Sequence, residues 1–526
     1  MLPLGFLAVF FAWPVAAIVG LGFGSATGTG QSGVARVLAE PQTWRIAAFT
    51  VGQAAASTAI AVVAGMPVAY LLSRIRMRGL ALVRTLILVP FVLPTVVVGL
   101  AFRALLPDGG VLSIVLANAF FNVAVVARTV SGLWTLIDRR VEDSARALGA
   151  SRWRAFRSVT LPALTPAISS AAAVVFLFCA TSFGVVLMIG GARYRTLETE
   201  IYLRTVNLFD LQGAAALSLV QLAAVIGALA LGARARRRRE RALGLRSTVQ
   251  NARKPVGAEW VVVAMAFAVL ALLAVPIAGL MARSVDTPAG WSLDGYRALA
   301  GQGSADVLAV SGWDAALQSL RTATDATLLA MLVGVSASVV LVSLRRNPDR
   351  LSRGMGEVLD AALMLPLGVS AVTVGFGYLV TLHLLPGDLR TSPLLVPFAQ
   401  ALVIVPLVVR MVLPVLRAVS ERLRQAAATL GASQARVWRE IDLPLTVRPV
   451  FAAAGFGYVI ALGEFGATSF LARPDAPTLP VAIAALMSRP GAHNSQMAYA
   501  ACVVLMLVTL ITVLVVDRLR STMGEF

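Results

Sequence analysis

Lysine is almost missing from this chain. Lys254 is the single lysine among 45 basic residues in 526, and it is followed by Pro255. No G-x-x-x-x-G-K-[ST] phosphate loop exists, so the chain supplies no nucleotide cradle of that kind. Cysteine and histidine are equally scarce, with two of each. Cys179 and Cys502 lie far apart in apolar runs and read as small core residues, and without ligand spacing no metal site is expected. No Ser-His-Asp or paired-acid constellation is present. Charge is short too, at 13% of residues against about 25% in soluble proteins. The net charge of +19 would suit nucleic acid, but the basic residues fall between apolar runs rather than along one soluble face, so no nucleic-acid partner is expected.

What is there is apolar length. Hydrophobic residues make up 58% of the chain and the mean hydropathy is +0.83. A span needs about 20 apolar residues, because about 30 Å of hydrocarbon is crossed at 1.5 Å per residue. Twelve are predicted: 2–23, 46–72, 82–106, 111–136, 166–190, 212–233, 259–282, 316–343, 358–384, 393–416, 449–471 and 495–517. The first lacks the basic start and small-residue cleavage site of a signal peptide and reads as a span. Most of the basic residues fall in one alternate set of loops, at 74–84, 139–157, 234–254, 345–353, 417–448 and the tail. Those loops are therefore expected in the cytoplasm, with both termini on that side. The opposite loops, the longest at 283–315 and 472–494, are too short to form a substrate-capturing domain. The expectation is an all-α polytopic protein of the lipid bilayer.

The chain also repeats itself. Gly149 and Gly431 stand 282 positions apart, as do Arg128 and Arg410, Leu161 and Leu443, Pro162 and Pro444, Phe183 and Phe465, Gly184 and Gly466, and Thr196 and Thr478. Upstream, Pro90 with Pro366 and Gly99 with Gly375 match at 276. Two halves of six spans follow, 1–235 and 258–526, joined by the basic linker 236–257. An even number of spans makes the repeats parallel, with a pathway expected between the halves. The linker, rich in arginine, suits anionic lipid and fixes topology; a regulatory or nucleic-acid role is the alternative.

Two polar segments interrupt the apolar pattern in register, "RALGASRWRAF" at 146–156 and "ATLGASQARVW" at 428–438. They lie in the loops 138–165 and 418–447. In each, a helix is expected to end at the glycine, which suits a C′ position, and a second short helix to start at Ser151 or Ser433. Leu161-Pro162 and Leu443-Pro444 are expected to close that second helix. A short helix with an aromatic knob and an arginine rim suits another protein's groove; packing on the chain's own bundle or lying among lipid headgroups are the alternatives.

The pattern of acid-Ala-Ala, three residues, Gly and a distant Leu-Pro resembles the cytoplasmic loop of binding-protein-dependent ABC importer permeases, over both halves. The resemblance implies the type I permease fold and makes each loop a coupling helix seated in an ATPase subunit. Asp143, Ser144, Ala145 and Gly149 match in one copy, and Gln425, Ala426, Ala427 and Gly431 in the other. The acid is Asp143 rather than Glu in the first copy, with Glu142 adjacent, and is Gln425 in the second, so unequal contacts are expected. The docking set is Asp143, Ala145, Gly149, Ser151, Trp153, Phe156, Gln425, Ala427, Gly431, Ser433, Val437 and Trp438. Two ATPase copies binding ATP and Mg, and an extracytoplasmic substrate-binding protein, are the implied partners in a bacterial plasma (inner) membrane. The chain itself is expected to hold no cofactor and to catalyse nothing.

The segments 180–202 and 463–483 resemble the fused permeases for thiamine and ferric iron, the first leaning towards thiamine; sulfate and molybdate permeases resemble the second. Thr181, Ser182, Phe183, Gly184, Glu464, Phe465, Gly466 and Thr468 are the pathway candidates. An acid within a span lines a cavity or finds a partner, so Glu464 faces either a cationic solute or an arginine. The glycines also suit close helix packing. A secondary transporter of 6+6 helices is the rival reading; it leaves the duplicated loop unexplained.

Overall fold

The computed structural model describes residues 2–24, 32–191, 193–237, 252–287, 290–301, 308–346, 349–382 and 392–522. Most of the linker 236–257 lies outside them. Ten described helices are long and apolar enough to cross a bilayer: Leu2–Phe23, Pro41–Arg74, Val111–Leu136, Arg152–Ala180, Leu211–Ala228, Glu259–Val285, Gly312–Arg345, Leu395–Ala418, Ala435–Gly463 and Ala492–Val516.

Four of the twelve expected spans are broken, the fifth after Ala180 and the eleventh after Gly463 among them. The third is a pair, Leu82–Val92 and Thr95–Leu105, bent by 95°. Leu93 is extended there, with ψ 134°, because the ring of Pro94 crowds the helical conformation of the residue before it. The ninth is split between Arg350–Met364 and Ala371–Thr381, with a tight turn at Leu365–Gly368. The second of these helices is restarted by Ser370, whose hydroxyl accepts the Thr373 N–H at 3.1 Å.

A further expectation is corrected at Pro162 and Pro444. Neither proline closes a helix. The helix runs on through it into the fifth and eleventh spans, by way of a wide turn at Phe156–Thr160 and at Trp438–Asp442. In these turns Leu161 N–H donates to Phe156 O and Leu443 N–H to Trp438 O, five residues back. Proline lacks an N–H and its ring presses on the preceding turn; one wide turn accommodates both.

The repeat holds in the packing. A Cβ at Gly65 would come within 2.7 Å of Val126, and one at Gly334 within 2.6 Å of Val408. Gly99 lies against Met188, and Gly375 against Ala467 and Phe470. Leu197 N–H donates to Thr50 Oγ1 at 3.1 Å, and Leu479 N–H to Ser319 Oγ at 2.7 Å. Thr50 and Ser319 are 269 positions apart. The register therefore steps from 269 to 276 to 282 along the repeat.

The compact units do not follow chain order. One comprises Met1–Ala39, Glu200–Val220 and Ser284–Phe526; the other comprises Glu40–Thr199 and Gln221–Arg283. The sequence halves 1–235 and 258–526 thus describe the repeat, while in the packing each unit takes the first long helix of the other repeat. In the first unit Phe10 of Leu2–Phe23 stacks on Phe398, with centroids 4.3 Å apart, and Pro14 meets Gly377. In the same unit Asp210 accepts from Arg36 at 2.7 Å and from Gly213 N–H at 2.9 Å, with Arg204 at 3.4 Å. Burial pushes the Asp210 carboxyl up, but these donors outweigh it and hold it below the usual carboxylate range. In the second unit Val263 and Ala266 of Glu259–Val285 share a core with Val68, Leu71, Leu72, Ile75, Ala124 and Ala127.

Gly65→Leu and Gly334→Leu should each destabilise the detergent-solubilised protein by about 1–3 kcal/mol through overpacking. Gly52, which has open space beside it, supplies the control Gly52→Leu. Thermal unfolding checks this: midpoints unmoved by the first two substitutions would contradict the equivalence of the two contacts.

Candidate functional site

Each repeated loop is a helix, a glycine turn and a second helix. Asp138 starts the first, its Oδ1 accepting Arg140 N–H at 2.9 Å, and the helix runs Arg139–Ala147. Gly149 stands at φ +90°, where glycine alone escapes the Cβ penalty. Gly149 N–H donates to Arg146 O at 3.0 Å and Ala150 N–H to Ala145 O at 3.1 Å. The second copy has Gly431 at φ +83°, with Gly431 N–H to Ala428 O at 2.9 Å and Ala432 N–H to Ala427 O at 3.0 Å. These are paired Schellman caps that satisfy the last helical carbonyls. Ser151 and Ser433 cap the following helices, accepting from Arg154 N–H at 3.3 Å and Arg436 N–H at 3.4 Å.

The loops present a face that the sequence reading missed. Leu148 is 90% exposed and Leu430 88%. Val141 and Leu423, seven residues earlier and so two turns back on the same side, are also exposed. Both pairs are related by the 282-residue register, which is the signal that could have found them. Asp143 and Gln425 are exposed beside this face, and Ala145 and Ala427 are half-buried. Trp153 is 69% exposed and stacks on Phe156 at 5.7 Å. Phe156 also lies 6.2 Å from Trp134. Its counterpart Trp438 is half-buried against the core of its own unit, with Val437 half-buried beside it. Phe156 and Trp438 therefore root the loops, and Leu148, Leu430, Val141, Leu423 and Trp153 form the outward surface.

Behind each surface the two helices are braced at equivalent positions by different chemistry. In the first loop Thr160 Oγ1 donates to Glu142 Oε2 at 3.2 Å. In the second, Arg424 takes the place of Glu142 and Asp442 that of Thr160. Arg424 Nε donates to Asp442 Oδ1 at 2.8 Å, and Nη2 reaches the same oxygen. Both side chains of this pair are more than nine-tenths buried.

The pathway candidates gather into two equivalent clusters where the fifth and eleventh spans break off. Thr181 bonds back to Leu177 O. Ser182 donates to Asn118 Oδ1 at 2.7 Å, Asn118 Nδ2 to Gln53 Oε1 at 2.9 Å, and Gln53 Nε2 to Cys179 O at 2.7 Å. In the second cluster Gln400, at the register position of Asn118, donates to Ala461 O at 3.2 Å. Glu464, at the position of Ser182, accepts from Ala467 N–H at 2.7 Å and Thr468 N–H at 3.0 Å, and from the Thr468 hydroxyl. Among the described residues Glu464 has no ion pair, so the arginine partner considered from the sequence is replaced by backbone N–H groups. Phe183 and Phe465 are buried, and Gly184 and Gly466 lie against Thr95 and Ala371. Each cluster satisfies the backbone at a break in an apolar helix.

Arg424→Ala leaves Asp442 buried and unpaired and should cost about 3–5 kcal/mol. Thr160→Ala removes one hydrogen bond to a carboxylate and should cost about 1.5–3 kcal/mol. Unfolding midpoints and limited proteolysis of each loop check this; equal effects would contradict the unequal bracing.

Comparison with known proteins gives the family. Residues 61–278 and 326–524 each match the family described as binding-protein-dependent transport system inner membrane component. The thiamine transport system permease protein ThiP of Brucella abortus (strain 2308) is 27% identical over 507 residues, covering 92% of this chain and 89% of the relative. The ThiP protein of Escherichia coli (strain K12) is 26% identical over 503 residues, 90% of this chain and 89% of the relative. The sulfate transport system permease protein CysT of Escherichia coli (strain K12) is 34% identical over 179 residues, 30% of this chain and 64% of the relative. With two copies of the module in one polypeptide, each carrying the glycine-capped loop, the chain belongs to the inner membrane components of binding-protein-dependent transport systems, as a fused ABC permease.

Proposed function

We propose that the chain is the permease subunit of an ATP-driven thiamine importer. The duplicated, Schellman-capped loop with its exposed leucine carries the coupling part of this reading. Two equivalent apolar faces suit two copies of one ATPase, which bind ATP and Mg and hydrolyse the nucleotide; the permease has no phosphate loop of its own. An extracytoplasmic binding protein delivers the solute. The excess of arginine on the loop side supports a cytoplasmic position for those loops and both termini. ATPase closure moves the loops, and the helices rooted in them by Phe156 and Trp438 follow, giving alternating access.

Thiamine is favoured over an oxyanion because the thiamine permeases match along nearly the whole of both chains, whereas the sulfate permease matches 30% of this one. Glu464 adds no argument for a cation, since its carboxylate is engaged by backbone N–H groups.

Uptake into proteoliposomes containing the permease, its ATPase and its binding protein tests the substrate. Labelled thiamine should accumulate with ATP, and ferric iron and sulfate should not. Accumulation of iron or sulfate in place of thiamine would overturn the assignment.

A further inference from the structure

The end of the linker, residues 252–259, is strapped onto the first loop. Arg253 N–H donates to Arg74 O at 3.2 Å and Arg76 N–H to Arg253 O at 2.8 Å, so the strap pairs with the turn after Pro41–Arg74. Glu259, its side chain 11% exposed, is the knot. Its Oε1 accepts from Arg253 at 2.7 Å and from Arg139 at 2.8 Å. Its Oε2 accepts Val256 N–H at 3.0 Å. Arg139 is the first residue of the docking helix Arg139–Ala147. On the other side of Gly149, Arg152 donates to Val256 O at 3.4 Å. Both helices of the first loop are thereby tied to one strap. Glu259 is also the first residue of the membrane helix Glu259–Val285, so the knot joins that helix to the loop.

We infer that Glu259 is a positioning residue for energy coupling: through Arg139, Arg253 and the Val256 amide it fixes where the first docking loop stands and links the loop's motion to Glu259–Val285. This rests on reading the loops as the ATPase-docking elements. Among the described residues the two loops are held by different means, the first by this strap and the second by the Arg424–Asp442 pair. A carboxylate shared by two guanidiniums and an amide resists being lifted away, because any displacement strands a poorly hydrated charge.

Glu259→Gln in the full-length permease tests it. Hydrogen exchange of the permease alone should show amide protection in 139–150 reduced about tenfold, with 421–432 unchanged. In the reconstituted complex, solute uptake per ATP hydrolysed should fall about fivefold while the ATPase still co-purifies. Glu259→Asp should restore both in part, and Asp294→Asn, at an exposed pair elsewhere, should change neither. Unchanged protection in 139–150, equal loss in both loops, or normal uptake per ATP beside a loosened first loop would each overturn the proposal. If Glu259→Gln does not fold, Arg253→Gln, at a side chain 42% exposed, should give a smaller loss confined to the first loop, and no loss would overturn it. Exchange on the isolated permease separates failure of the strap from failure of the docking reading, because it needs no ATPase.

Discussion

A helix that stops leaves its last carbonyls, and its successor's first N–H groups, without partners. In an apolar setting each costs free energy comparable to a lost hydrogen bond. The two capped loops and the breaks in the fifth and eleventh spans are built around meeting that demand. At the loops the answer is geometric: Gly149 and Gly431 take the left-handed conformation and fold the chain back onto its own carbonyls. At the broken spans the answer is chemical, with Gln53, Gln400 and Glu464 supplying side-chain donors and acceptors to the freed backbone. The first solution leaves Leu148 and Leu430 exposed on rigid, capped helix ends. The second holds the breaks at the far ends of Arg152–Ala180 and Ala435–Gly463, the helices that follow those caps.

The repeats share geometry more closely than chemistry. Glu142 with Thr160 and Arg424 with Asp442 occupy the same places and join the same pair of helices. Ser182 and Glu464 also share a place at the breaks, but Ser182 bonds across to Asn118 of Val111–Leu136 whereas Glu464 bonds its own chain at Ala467 and Thr468. What is constant is that a buried contact exists at each position; the donor and acceptor are free to change so long as both ends are satisfied. The exposed apolar positions behave differently. Leu148 with Leu430 keeps both size and polarity and Val141 with Leu423 keeps polarity, while Trp153 stands where the second copy has Ala435.

Much of this was legible in the sequence. The helix Val111–Leu136 was bounded to the residue, and the glycine turns and serine caps followed from residue type alone. The breaks near Leu93 and Val369 stand beside Pro94 and Pro366, but proline also sits inside the unbroken Pro41–Arg74 and Leu395–Ala418, at Pro67 and Pro406, so its presence alone did not mark them as breaks. Pro162 and Pro444 misled, since a wide turn of Phe156–Thr160 or Trp438–Asp442 lets the helix continue where proline usually stops it. The exchange of first helices between compact units has no local signature: Leu2–Phe23 and Glu259–Val285 are uniformly apolar and fit either repeat. At the docking surface, attention to aromatic knobs hid the leucines, and burial of Phe156 and Trp438 depends on tertiary packing that spacing does not show.

The central claim is that two equivalent loops each seat one ATPase through an exposed leucine. Native mass spectrometry of the purified complex tests it most directly, by counting ATPase subunits on the wild type, Leu148→Glu, Leu430→Glu and the double variant. Both positions are exposed, so the substitutions should leave the fold intact. The account predicts two, one, one and none. Two ATPases retained on the double variant would contradict it.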